Sequence, residues 1–218
     1  LLERPIYEQL LEKLAARYRT LRVGAARDDL DVGPLISAAQ KKRVETYIAR
    51  GRADGLCGVA QGAIASNAPQ GGHFLAPTLF AGVAPDHLLA QDEIFGPLLP
   101  IVGYETIDDV VAYVNARPRP LALYLFDDDR ARIDSVLART TAGGVTVNDT
   151  LLHIAQESLP FGGVGPSGMG QYHGYEGFLT FSKLKPVFRQ SRFNGVGMFN
   201  PPYGPRTAKM IAMLKRWA

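Results

Sequence analysis

The sequence predicts an α/β fold, a mostly parallel sheet with flanking helices, and three observations carry that expectation. Apolar runs of strand length alternate with longer segments at helical spacing. Glycine, proline or a capping residue stands at most of the joins, and the order strand, helix, strand persists to about Val147. Alternation of this kind is what right-handed β-α-β units require, and sheets built from such units collect ligands at the carboxyl ends of their strands.

The elements follow in order. Pro5 suits the first turn of a helix, where its missing N–H costs nothing, and Ile6, Tyr7, Leu10, Leu11, Leu14, Tyr18 and Leu21 then recur on one face. Residues 28–34 are a polar, glycine-containing loop. Ser37 and Gln40 form a capping box for a helix expected to reach Arg50 and stop at Gly51. Residues 56–60 read as a short buried strand, and 66–72 as a Gly/Pro-marked loop. A strand at 74–80, a connection at 82–89 and a strand at 98–104 come next. Thr106 caps a helix to about Ala116, and 121–126 is a strand. A helix at 130–140 has Ile133, Val136 and Leu137 on its apolar side, and residues 144–147 close the series.

The segment QDEIFGPLLP, Gln91 to Pro100, is the first with readable chemistry. A carboxylate at Glu93 can accept two hydrogen bonds from a diol such as a ribose, and Phe95 offers a flat face to a ring. Gly96 and Pro97 force a turn that holds both side chains at the mouth of the following strand. The plainer alternative is a solvated Glu93 and a core Phe95. Asn148, directly after a strand, is read as a loop brace whose amide bonds backbone groups. His153, between Leu152 and Ile154, reads as a packing histidine with a pocket-lining role left open, and His173 has the same ambiguity. The glycines of FGGVGPSGMG lack both the G-x-x-x-x-G-K-[ST] pattern and a G-x-G-x-x-G strand-to-helix setting, so they read as tight-turn glycines.

Composition narrows the function classes. The chain has 218 residues, 46% of them hydrophobic, enough for a sizeable core, and a formal net charge of +3 from well-mixed signs that marks no nucleic-acid face. No apolar run has the ~18 residues that a membrane span needs. The single cysteine, Cys57, excludes internal disulfides and fits a reducing, cytoplasmic compartment; its apolar neighbours and lack of an adjacent base mark it as an inert packing residue rather than a nucleophile. At the C-terminus Met210, Ile211, Leu214 and Trp217 share one helical face with Lys209, Lys215 and Arg216 around it. A helix of this kind docks on a neighbouring domain or subunit, or lies on a membrane surface.

Several segments together carry a resemblance. EIFGPLLPIV resembles the cofactor-contacting segment of the aldehyde dehydrogenases, and VNDTLLHIAQESLPFGGVGPSGMGQYHGYEGFLTFSK is similar to the downstream signature of their class 3 branch, which takes aromatic and medium-to-long aliphatic aldehydes. GHFLAPTLF, DVGPLIS and RPLALYLF match in the same order, and the tail RFNGVGMFNPPYG is similar to that of the coniferyl aldehyde dehydrogenases within that branch.

The resemblance implies oxidation of an aldehyde to a carboxylic acid with NAD or NADP: a cysteine thiolate attacks the carbonyl, hydride passes to the nicotinamide, and a glutamate-activated water releases the acid. It implies that Glu93 holds the nicotinamide ribose, that Phe95 presses on the ring, and that Thr150 to Phe161 lie beside the substrate entrance with Phe161 facing the reacting region. It also implies that these residues are the C-terminal half of such an enzyme. On that reading residues 1–182 are part of the catalytic domain and 183–218 an oligomerisation segment and tail. The nucleophile, general base and dinucleotide-binding domain then lie upstream, so the chain alone is inactive. Full-length relatives of this type imply a homodimer pairing through Lys183 to Ser191. The alternative is a natural short chain that serves as a non-catalytic binding or assembly module beside a full-length relative.

Overall fold

The computed structural model describes residues 1–216. In chain order its elements are β1 (Leu2–Glu3), α1 (Tyr7–Thr20), β2 (Arg22–Val23), α2 (Ala38–Ala53), β3 (Cys57–Gln61), β4 (Ala63–Ile64), β5 (Thr78–Ala81), α3 (Leu88–Gln91) and β6 (Leu98–Pro100). They continue with β7 (Gly103–Tyr104), α4 (Ile107–Asn115), β8 (Ala122–Leu125), α5 (Arg130–Arg139), β9 (Gly144–Val147), α6 (Leu152–Ala155), α7 (Gly174–Thr180) and α8 (Pro205–Leu214). The architecture is the mixed α/β arrangement expected, with parallel pairing of β1 with β7, β2 with β4, β5 with β6 and β8 with β9. One pairing departs from it: β3 runs antiparallel to β5, with a bulge between Gly58 and Ala60.

The core is organised around β5, whose four residues are all buried. Because side chains alternate across a strand, Leu79 and Phe80 enter different layers. Leu79 packs with Tyr7, Ala15, Ala60 and Ile101 beneath α1, while Phe80 packs with Val44, Ile48, Leu89, Ile94, Leu98 and Val102 beside α2. Both are fully buried, so each contributes roughly 1.5–3 kcal/mol of apolar transfer. Tyr7 adds a polar tie across the first layer: its hydroxyl accepts the Gly82 N–H at 2.9 Å.

Several expectations are corrected here. Helix α2 does not stop at Gly51 but continues to Ala53, with Asp54 as its C-cap and Gly55 following at φ 79°. Gly51 is buried inside the helix because an added Cβ would lie 3.2 Å from the Phe80 ring, so that glycine serves packing rather than termination. The strand expected at 98–104 is two strands, since Ile101 and Val102 turn into the core between β6 and β7. β3 is not a buried strand: only Ala60 is buried, and Cys57 is exposed, because β3 pairs with β5 alone and forms the edge of its sheet. Cys57 is therefore no packing residue. On α5 Val136 is buried but Leu137 is exposed, and Ile6 is exposed ahead of α1. In α8 Thr207 is the buried side chain, Ile211 and Leu214 face solvent, and Trp217 lies outside the described residues.

Candidate functional site

The segment Asp92 to Pro97 runs from the end of α3 into β6, and one face of α2 holds it along its length. Gln40, Arg43, Val44 and Tyr47 recur at i, i+3, i+4 and i+7, the spacing that places side chains on a single helical face. The amide Nε2 of Gln40 donates to the carbonyls of Ile94 at 2.9 Å and Phe95 at 2.8 Å. A guanidinium N–H of Arg43 donates to the Glu93 carbonyl at 3.1 Å, and the Tyr47 hydroxyl donates to the Asp92 carboxylate at 2.7 Å. Ile94 inserts between these contacts into the core beside Val44.

The turn is made differently from the expectation. Its left-handed residue is Phe95, at φ 54°, rather than Gly96. Gly96 is needed for closeness: a Cβ there would stand 2.4 Å from a methyl of Val44, so only glycine lets the segment lie against α2. Pro97 then accepts the Thr78 N–H on its carbonyl at 2.8 Å and starts the pairing of β6 with β5.

The contacts from Gln40 and Arg43 are spent on backbone carbonyls, which leaves the side chains of Glu93 and Phe95 free. Phe95 is 66% exposed. The Glu93 carboxylate is exposed and has no hydrogen-bond or ion-pair partner among the described residues. An unpaired carboxylate two residues away from a presented aromatic face fits a ligand that carries a diol beside a flat ring.

A second group forms around His153. Thr146, buried on β9, accepts the His153 backbone N–H at 3.3 Å, and its hydroxyl lies 2.8 Å from the ring Nδ1. Thr146 thus holds both the backbone and the ring of His153, while the ring Nε2 is buried without a hydrogen-bond partner. The ring rests on Gly144, where a Cβ would come within 2.5 Å of it. Tyr124 and Phe161 flank the imidazole with centroids at 6.0 and 5.7 Å. Phe161 in turn meets Tyr172 edge-on at 5.3 Å and His173 at 6.2 Å, and an isolated antiparallel bridge ties its backbone to Tyr172. Asn148 clamps the neighbouring loop: Oδ1 accepts the Asp127 N–H and Nδ2 donates to the Asp127 carbonyl, both at 2.9 Å. Arg132 donates two 2.6 Å bonds to the Asp127 carboxylate and, with the Asp129 N–H, holds its pKa down to about 2. The two groups, Glu93/Phe95 and His153/Phe161, are held by separate sets of contacts.

The glycines between Phe161 and Gln171 close a tight hairpin, with Gly165, Gly168 and Gly170 at positive φ. A Cβ on Gly162 or Gly163 would come within 2.1 Å of a carbonyl oxygen on the opposite side. Among the described residues, those other than glycine with positive φ are Asp29, Phe95, Asn148, Leu151 and His173. Four of these five lie in the two segments singled out from the sequence, where strain of this sort persists only if the surroundings over-determine it.

Sequence reasoning missed Gln40, Arg43 and Tyr47. It assigned Gln40 to a capping box, and only half of that box forms: the Ser37 hydroxyl accepts the Gln40 backbone N–H at 3.1 Å, but the Gln40 side chain turns to the Ile94 and Phe95 carbonyls instead. The repeat of these residues at i, i+3 and i+7 was the available signal. Among the described residues, no helix is long and apolar enough to cross a membrane, and no group of three His, Cys, Asp or Glu side chains is placed to hold a metal.

The chain is 58% identical over 140 residues to a Pseudomonas aeruginosa protein named "Probable coniferyl aldehyde dehydrogenase", covering 64% of this chain and 29% of that one. It is 36% identical over 205 residues to the rat "Aldehyde dehydrogenase, dimeric NADP-preferring", covering 94% of this chain and 43% of the relative. Among solved structures, a Mycobacterium tuberculosis aldehyde dehydrogenase complexed with NAD+ superposes with a TM-score of 0.77 at 31% identity, covering 88% of this chain and 39% of that one. The chain thus spans between 29% and 43% of the length of these relatives. The profile of the aldehyde dehydrogenase family matches residues 1–187, and the chain belongs to that family.

Proposed function

We propose that these residues act within an NAD(P)-dependent aldehyde dehydrogenase that oxidises an aromatic, coniferyl-like aldehyde, or a medium-to-long aliphatic one, to the carboxylic acid. The observation that carries this reading is the Asp92–Pro97 segment, fastened to α2 through its carbonyls while the Glu93 carboxylate and Phe95 ring remain presented and unpartnered. The likeness to relatives named for coniferyl aldehyde and for NADP, and to a structure holding NAD+, supports the substrate and cofactor classes.

On this reading residues 1–182 are part of the catalytic domain and 183–218 an oligomerisation segment and tail, with two copies pairing through Lys183 to Ser191. The exposed Leu184, Val187 and Phe188 support that pairing, as apolar side chains in search of a partner surface. Glu93 accepts hydrogen bonds from the hydroxyls of the nicotinamide ribose, and Phe95 packs on the nicotinamide ring. The nicotinamide, when bound, supplies the hydride acceptor. Phe161, fixed by His153, Tyr172 and His173, forms part of the wall beside the reacting carbon. All these are positioning roles, which lower the barrier by fixing geometry rather than by transferring protons.

The test is a comparison of NAD+ and NADP+ reduction by the native enzyme containing these residues, with coniferyl aldehyde, octanal and acetaldehyde as substrates. The expected order in kcat/KM places coniferyl aldehyde or octanal above acetaldehyde. No oxidation of any of the three would contradict the proposal.

A further inference from the structure

We propose that Gln40 is the positioning residue of the cofactor-facing segment, acting through the Ile94 and Phe95 carbonyls to set how the Glu93 carboxylate and the Phe95 ring are presented. This rests on the cofactor roles proposed above for Glu93 and Phe95.

Successive carbonyls of an extended chain point to opposite sides, so one side-chain amide cannot reach two of them. A left-handed residue between them turns both to the same side. Phe95, at φ 54°, makes that turn, and the two N–H groups of Gln40 Nε2 reach both oxygens at 2.9 and 2.8 Å. The amide orientation follows from the chemistry of its partners, because a flipped amide would aim its oxygen at two acceptors. A phenylalanine in this conformation sits against a steric preference for right-handed backbone, so something must hold it. Gln40 is the side chain that bonds the carbonyls on both sides of the strained residue. Arg43 and the Gly96–Val44 contact hold the flanks. The helix gives up half of a capping box to make this contact, which sets the role apart from ordinary helix stabilisation.

In the native enzyme the Gln40→Leu variant, which keeps the side-chain volume and removes both donors, is expected to raise the NADH dissociation constant and to lower the single-turnover hydride-transfer rate by about tenfold. The aldehyde KM is expected to stay within about twofold. Gln40→Asn, too short to bridge both carbonyls, carries the same test if the leucine variant fails to fold. The decisive arm combines Gln40→Leu with Glu93→Gln. If Gln40 works through this segment, the double variant loses much less than the product of the two single losses. Losses that multiply, or a Gln40→Leu enzyme with unchanged NADH affinity and hydride transfer while Glu93→Gln is impaired, would overturn the positioning role alone. A silent Glu93→Gln would overturn both it and the reading on which it rests.

Discussion

The amide of Gln40 donates to the carbonyl of Phe95 at 2.8 Å, joining the first turn of α2 to a left-handed residue 55 positions later in the chain. That bond, with its partner to Ile94, explains how a segment without regular structure holds two outward-facing side chains in a fixed attitude. Helix α2 is itself anchored, because Val44 and Ile48 are buried against Phe80. The geometry of the segment is thus inherited from the core.

The contact between Gly96 and Val44 is expected to tolerate no added carbon. Gly96→Ala would push a Cβ to within 2.4 Å of the valine methyl, at a cost of about 1–3 kcal/mol in overpacking. Denaturant unfolding of the single and double variants is the check. Val44→Ala alone opens a cavity, but combined with Gly96→Ala it is expected to cost less than the sum of the two.

Asp127 sets a pH dependence whose sign follows from its neighbours. Arg132 and the Asp129 N–H stabilise the ionised form, so the folded pKa falls from 3.8 to about 2. A lowered folded pKa contributes stability that is present above the unfolded value and lost as protons bind. Stability from this group is therefore complete above about pH 4 and declines toward pH 2. Denaturation midpoints across that range are expected to fall more steeply for the native residue than for Asp127→Asn. Equal slopes would show that the Arg132 pairing does not persist in solution.

Thr146 and His153 are expected to be coupled. Thr146→Val keeps the shape of the buried side chain but strips His153 Nδ1 of its hydrogen-bond partner, at a cost of about 1–3 kcal/mol. The same change loosens the imidazole against Phe161. Nitrogen-15 chemical shifts of the ring report the tautomer: the native protein is expected to show a single form fixed by Thr146, and the variant a mixture of the two.

Much of the fold is legible in the sequence because local rules agree with tertiary demands. Thr106 and Asp109 form a complete capping box at the start of α4, and the strand read at residues 144–147 is β9. Legibility fails where a residue answers to a distant partner. Gly51 resembles a helix stop but makes room for Phe80, and Gly96 resembles a turn glycine but makes room for Val44. Gln40 resembles a cap but serves a segment more than fifty residues away. Cys57 sits in an apolar run that reads as buried, and only the sheet order shows that its strand is an edge. The residue types of the candidate site were readable from the EIFGP and PFGG segments, whereas the α2 face that supports the first was not. The Gln40 and Arg43 contacts are made to backbone carbonyls, which leave no trace in the identity of the residues they bond.

The most direct measurement is the single-turnover rate of hydride transfer in the native enzyme carrying Glu93→Gln, followed by nicotinamide absorbance at saturating aldehyde. The amide keeps the size of the carboxylate but loses its charge and half of its accepting capacity toward a diol. The expected result is a fall of about tenfold or more in the hydride-transfer rate, with the aldehyde KM little changed. A hydride-transfer rate equal to that of the unaltered enzyme would contradict the assignment of Glu93, and of the segment that α2 holds in place, to the nicotinamide ribose.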